Sequence, residues 1–210
     1  PLLEWGYPVL IATLAQAFAA SVLLILLPLG VVAQRTQEGA APAISALRVA
    51  AYFLANGFAF MFVEIAFIQK FLLLLSHPLY AVAVVLCSFL VFAGLGSRYS
   101  GSLRISDRTS PRQRLLGAVA AIGAFSLLYL VLLPPLFRQA MPLADGLKIL
   151  LSIALIAPLA FAMGMPFPLG LARTAARAPS LVPWAWGVNG CASVVAAILA
   201  TSPKPPASRG

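Results

Sequence analysis

Glu64 is the residue whose position asks most of its surroundings. It is an acid set deep in an apolar run, Phe60-Met61-Phe62-Val63-Glu64-Ile65-Ala66-Phe67-Ile68-Gln69-Lys70. A carboxylate at membrane depth costs about 2.5–3.5 kcal/mol on insertion scales, so such groups turn inward, find partners or lose their charge. Lys70 stands six positions on, about 120° round a helix, and is a poor local partner. Asn56, Phe60 and Glu64 fall at i, i+4 and i+8 and form a partly polar stripe that faces other helices. Two kinds of chemistry fit. One is a proton or cation site, or part of a substrate pocket. The other is a hydrogen-bonded acid that joins two helices, with Asn189 as the candidate partner. Asn56, Glu64, Gln69 and Asn189 together form the candidate polar centre.

A second group of residues could expose backbone instead of side chains. Gly164-Met165-Pro166-Phe167-Pro168-Leu169-Gly170 removes two backbone donors and flanks them with glycines, and Pro158 adds a kink one to two turns earlier. Broken helices present carbonyls and helix ends, a means by which transporters hold ions and substrates. The alternative is that Gly164 marks the membrane surface. Gly164, Pro166, Pro168 and Gly170 define this candidate broken-helix segment.

Other chemistry is not encoded. His77 is the single histidine, so neither a Ser/His/Asp or Cys/His arrangement nor a histidine metal cluster can be assembled. Gly94-Leu95-Gly96 is a fragment of a glycine-rich pattern without the acidic residue and strand that a nucleotide fold needs. Cys87 and Cys191 both sit in apolar runs and read as small packing residues. No catalytic, metal or cofactor-binding residue is expected, and no cofactor.

The elements that position these residues follow from composition. Of 210 residues 62% are hydrophobic and 9% charged, against about 25% charged in soluble domains. The mean hydropathy is +1.00. The surrounding solvent must be lipid. A helix needs about 20 apolar residues to cross it. Six runs qualify, at 8–33, 47–69, 78–97, 115–137, 147–172 and 182–200. They are continuous, not alternating, so helices are expected and a barrel is not. The fold class is an all-α, polytopic transmembrane bundle of about six spans, forming a single domain over 1–200 with a polar, proline-rich tail at 201–210. The chain opens on Pro1, which suggests a piece of a longer protein.

The stretch 46–76 is too long for a simple crossing at about 1.5 Å per residue. The expected solution ends the helix near Gln69-Lys70 and lays Phe71–Leu75 along the interface. Lys70 then reaches headgroups, and His77-Pro78 opens the next span. Trp184 and Trp186, after Pro183, suit an interfacial belt. Lys70, His77, Trp184 and Trp186 are the candidate interface anchors. Ala185, Asn189, Ser193 and Ala197 recur every four residues as a small-residue packing face.

The net charge of +9 lies at the ends of apolar runs, where it sets orientation. No basic patch is interleaved with aromatics, so nucleic acid is not an expected partner. With residue 1 outside, the inner loops carry nine basic residues and the outer segments five. Most of the bias comes from the hydrophilic connector 98–114. The positive-inside rule then places both termini outside.

Two blocks together resemble a known family. One is Phe60–Phe71 followed by Ser76-His77-Pro78-Leu79-Tyr80-Ala81. The other is Gly164–Gly170 followed by Val182-Pro183-Trp184-Ala185-Trp186-Gly187-Val188-Asn189-Gly190. Their order and spacing resemble the membrane region of bacterial spermidine-synthase-like (fused transporter/spermidine synthase) integral membrane proteins, over roughly 45–200. The resemblance implies a multi-pass protein of the bacterial inner membrane, whose termini the charge count, not the resemblance, places on the periplasmic side. It also implies a Rossmann-like aminopropyltransferase or methyltransferase domain elsewhere in the longer protein, using an S-adenosylmethionine-type cofactor. Gly96, Asp107-Arg108, Arg112 and Arg114 are also similar, less specifically, to a cytoplasmic loop of the major facilitator transporters.

Three functions are therefore expected in order: a non-catalytic membrane scaffold or accessory subunit; a transporter of a small cation or polyamine through Glu64 and Asn189; and the membrane part of such a transferase. The expected partners are the lipid bilayer and either further subunits of a membrane complex or a second copy of the chain.

Overall fold

The computed structural model describes residues 45–75, 77–106 and 110–201, with Ala12, Ala15, Gln16, Ala19 and Ala20 as isolated helical positions. The described elements are all helical. They are α1 (Ala46–Leu75), α2 (Pro78–Ser106), α3 (Pro111–Ala140), α4 (Asp145–Met163), α5 (Pro166–Arg177), a 3-10 turn (Pro179–Leu181) and α6 (Val182–Thr201). Five helical stretches among the described residues are long and apolar enough to cross a membrane, α4 and α5 counting as one. The expected first span, 8–33, lies outside the described residues apart from the isolated positions.

The chain divides into two compact units. Val63–Ala176 form one, and Pro1–Phe62 with Arg177–Gly210 form the other. α1 passes from one to the other at Phe62.

Within the Val63–Ala176 unit, α2 and α4 make the most extensive helix–helix contact, and α3 also packs on α4. The α2–α4 contact is backbone to backbone. A Cβ added to Gly96 would collide with the carbonyl of Phe161, and one added to Gly164 with the carbonyl of Ala93. Without a hydrophobic force between helices in lipid, such small residues let dispersion contacts form at short range. α1 is held differently, by large rings. Phe67 meets Phe89 edge-on at 5.6 Å and Tyr129 at 5.8 Å, and Phe71 meets Phe137 at 5.1 Å.

Three boundaries differ from expectation. α1 runs unbroken to Leu75 and does not turn along the interface after Lys70. Phe71, Leu74 and Leu75 are buried, and continuing the helix keeps their backbone groups bonded while Phe71 reaches Phe137. The connector expected at 98–114 is mostly helix. α2 continues through Arg98 to Ser106, with Ser100 and Ser102 hydroxyls donating to the carbonyls of Ser97 and Tyr99. α3 then starts at Pro111 on a capping box. The Ser110 hydroxyl accepts from the Gln113 backbone N–H at 3.3 Å, and the Gln113 side chain accepts from the Ser110 N–H at 3.0 Å. That reciprocal pair satisfies two donors that the first turn would otherwise leave open. The fifth run is two helices. α4 ends at Met163, and its 19 residues rise about 28 Å, close to the hydrocarbon thickness of about 30 Å.

Candidate functional site

Several hydroxyls inside the apolar helices are turned back on their own backbone. Ser88 donates to the carbonyl of Val84 at 2.6 Å, Ser152 to Lys148 at 2.7 Å and Thr174 to Gly170 at 3.0 Å. Such i−4 bonds satisfy the hydroxyl without a partner helix. Tyr129 instead links two helices. Its hydroxyl donates to the carbonyl of Leu155 at 2.5 Å. Pro158 lies one turn beyond, where its missing N–H deprives the carbonyl of Ala154 of a helical donor. Sequence reasoning missed Tyr129. Its only sequence signal is a tyrosine placed inside an apolar span; the carbonyl it takes, that of Leu155, is the neighbour of the one Pro158 leaves without a helical donor.

The residues of the candidate polar centre fall in both units. In the Pro1–Phe62 and Arg177–Gly210 unit, the Asn56 side-chain amide donates to the Asn189 side-chain oxygen at 3.2 Å. Gly57 admits this approach, since a Cβ there would lie 2.6 Å from the Asn189 carbonyl and 2.9 Å from the Cβ of Ala192. The buried stripe of α6 runs through Ala185, Val188, Ala192 and Ala196. The four-residue face expected at Ala185, Asn189, Ser193 and Ala197 drifts off it after Asn189, because 3.6 residues make a turn. Ser193 donates to the carbonyl of Asn189 at 2.9 Å. Replacing Asn56 and Asn189 by leucine singly and together should give a coupling of about 0.6 kcal/mol, not above about 1.7, as for other hydrogen bonds between membrane helices. A double-mutant cycle on detergent-purified protein measures it.

Glu64 belongs to the Val63–Ala176 unit. It is 6% exposed and makes no hydrogen bond or ion pair with a described residue. Gln69 and Lys70, on the same helix, are exposed. Glu64 is thus a buried acid without a described partner, and the Asn56–Asn189 pair is a satisfied one.

The candidate broken-helix segment forms a junction. Gly164 caps α4, its N–H reaching the carbonyl of Ala160 at 3.0 Å, and Leu169 N–H bonds back to Met165 at 3.2 Å as α5 begins. Pro166 and Pro168 occupy the first turn of α5, where a missing donor costs nothing. Pro166, Gly170 and Thr174 are buried along one face of α5, and Arg173 and Arg177 are exposed.

Of the expected anchors, Lys70 and His77 are exposed, Trp186 is exposed, and Trp184 is half-buried. The His77 ring lies 5.9 Å from Tyr80. Cys87 is exposed and Cys191 half-buried, both as free thiols. Among the described residues no cluster of His, Cys, Asp and Glu could hold a metal. Lys148 and Asp145 form an ion pair at 3.6 Å at the start of α4.

No family model, curated protein or solved structure matches the chain.

Proposed function

We propose that this chain is a non-catalytic scaffold or accessory subunit embedded in the bacterial inner membrane with its termini on the periplasmic side. Its resemblance to the membrane region of spermidine-synthase-like proteins supports the membrane placement, and the positive-inside count supports the side of the termini. The observation that carries the scaffold role is the Asn56–Asn189 hydrogen bond over Gly57. There, the polar residues and the small residue of two apolar helices serve helix association. Ser88, Ser152 and Thr174 likewise bond to their own helices. The test is twofold. Extracted gently from its native membrane, the chain should migrate in assemblies larger than its 22.0 kDa, and in proteoliposomes it should not accumulate polyamines, amino acids or protons. A chain that stays monomeric at every extraction condition overturns the proposal.

Glu64 favours a second reading, transport of a small cation or polyamine. A buried acid without a described partner is what a cation or proton site needs. Glu64→Gln and Glu64→Leu separate the two roles. In a scaffold, Gln preserves assembly and Leu weakens it, because Gln can still hydrogen-bond. In a transporter, Gln abolishes substrate-dependent uptake and leaves thermal stability in detergent unchanged.

A further inference from the structure

The rings that tie α1 to α3 also hold the two helices apart, and a groove of about 430 Å³ lies between them. Phe67, Tyr129, Leu133 and Phe137 form its buried floor, and Ala66, Leu73, Leu130 and Pro134 its exposed rim. The Tyr129 hydroxyl is engaged with Leu155, so the floor presents a ring and not a donor. Val63 to Leu73 mark the α1 wall. Ten residues of rise are about 15 Å, half of a hydrocarbon core of about 30 Å. The volume falls within the range of about 300–1,000 Å³ typical of pockets that hold small molecules.

One end of this apolar groove is cationic. Lys70 and Arg138 line it, with Met141 beyond them. Both side chains are exposed, and neither has an ion pair with a described residue. α1 and α3 run in the same direction, since Phe67 meets Tyr129 and Phe71 meets Phe137. Both cations therefore stand toward the C-terminal ends of their helices, at one level. Long basic side chains there extend toward headgroups. An arginine beside a lysine suits a phosphodiester, which the guanidinium can grip with two parallel hydrogen bonds.

We infer that this groove binds an anionic phospholipid of the surrounding bilayer, one acyl chain lying on the Phe67–Phe137 floor and the phosphate held by Lys70 and Arg138. Apolar length of one leaflet, two cations at its end without an ion pair among the described residues, and an open rim match that ligand class. A zwitterionic lipid fits the floor equally but gains less from the cations, because its own ammonium competes for the phosphate.

Native mass spectrometry of the whole chain, released from nanodiscs of equal phosphatidylglycerol and phosphatidylcholine with identical acyl chains, tests it. Retained phosphatidylglycerol should exceed phosphatidylcholine about thirtyfold, the order expected of two basic groups at about 1 kcal/mol each at a membrane surface. Lys70→Gln with Arg138→Gln should bring the ratio near one, and Lys70→Arg with Arg138→Lys should keep it. Ala66→Trp, placed on the exposed rim, should lower retention of both lipids. Circular dichroism and melting temperature confirm that each variant folds. Equal retention by the unaltered protein, or a preference that survives the double Gln substitution, overturns the inference. So does oleate added at equal concentration that displaces the phospholipid completely, since the ligand would then be a fatty acid.

Discussion

Gly96→Ala is expected to cost at least about 3 kcal/mol, the upper end of the range for overpacked interiors. The new methyl group would enter the space held by the carbonyl of Phe161, which belongs to a helix backbone and cannot rotate aside. Gly164→Ala should behave alike against the carbonyl of Ala93. A control lies two residues from Gly96 on the same helix. A Cβ on Gly94 meets nothing within 4 Å, so Gly94→Ala should be neutral or gain roughly 0.5–1 kcal/mol from helix propensity. Denaturation midpoints of the three variants in detergent give the comparison. Equal midpoints for Gly94→Ala and Gly96→Ala would show that α2 and α4 do not meet backbone to backbone.

Phe71→Ala should cost about 3–5 kcal/mol, as for other buried phenylalanines. Phe71 is fully buried, with ring contacts to Phe67 at 5.7 Å and Phe137 at 5.1 Å. Removing it opens a void beneath helices that the Phe67 and Phe137 rings still hold apart. Leu73→Ala, two residues on and 65% exposed, should stay within about 0.5 kcal/mol. The same denaturation assay applies, and a smaller loss for Phe71 than for Leu73 would place Phe71 outside the packed interior.

The class of fold is legible in the chain because continuous apolar runs admit one kind of spanning structure. The junction at Gly164 is legible too, since Pro166 and Pro168 cannot continue a helix through their own first turn. What stays hidden depends on partners distant in sequence. Nothing local distinguishes Gly96 from Gly94; the carbonyl of Phe161 does. Nothing local keeps α1 helical past Lys70, and Phe137 supplies the reason. The extension of α2 through Arg98 runs against polar composition, which marks where lipid ends and not where a helix ends. Of the candidate polar centre, the chain reveals which residues are out of place in lipid. It does not reveal that Asn56 pairs with Asn189, because three amides and one carboxyl offer several pairings and geometry selects among them. The groove is the least legible feature, being made by the width of aromatic rings set between helices.

The paired notches at Gly96 and Gly164 interlock two antiparallel rods. A shift by one residue would drive a side chain of one rod against the peptide units of the other, so the pair resists shear along its axis. A thinner or thicker bilayer must then be met by leaning both rods together, because hydrophobic mismatch is relieved by tilt where sliding is blocked.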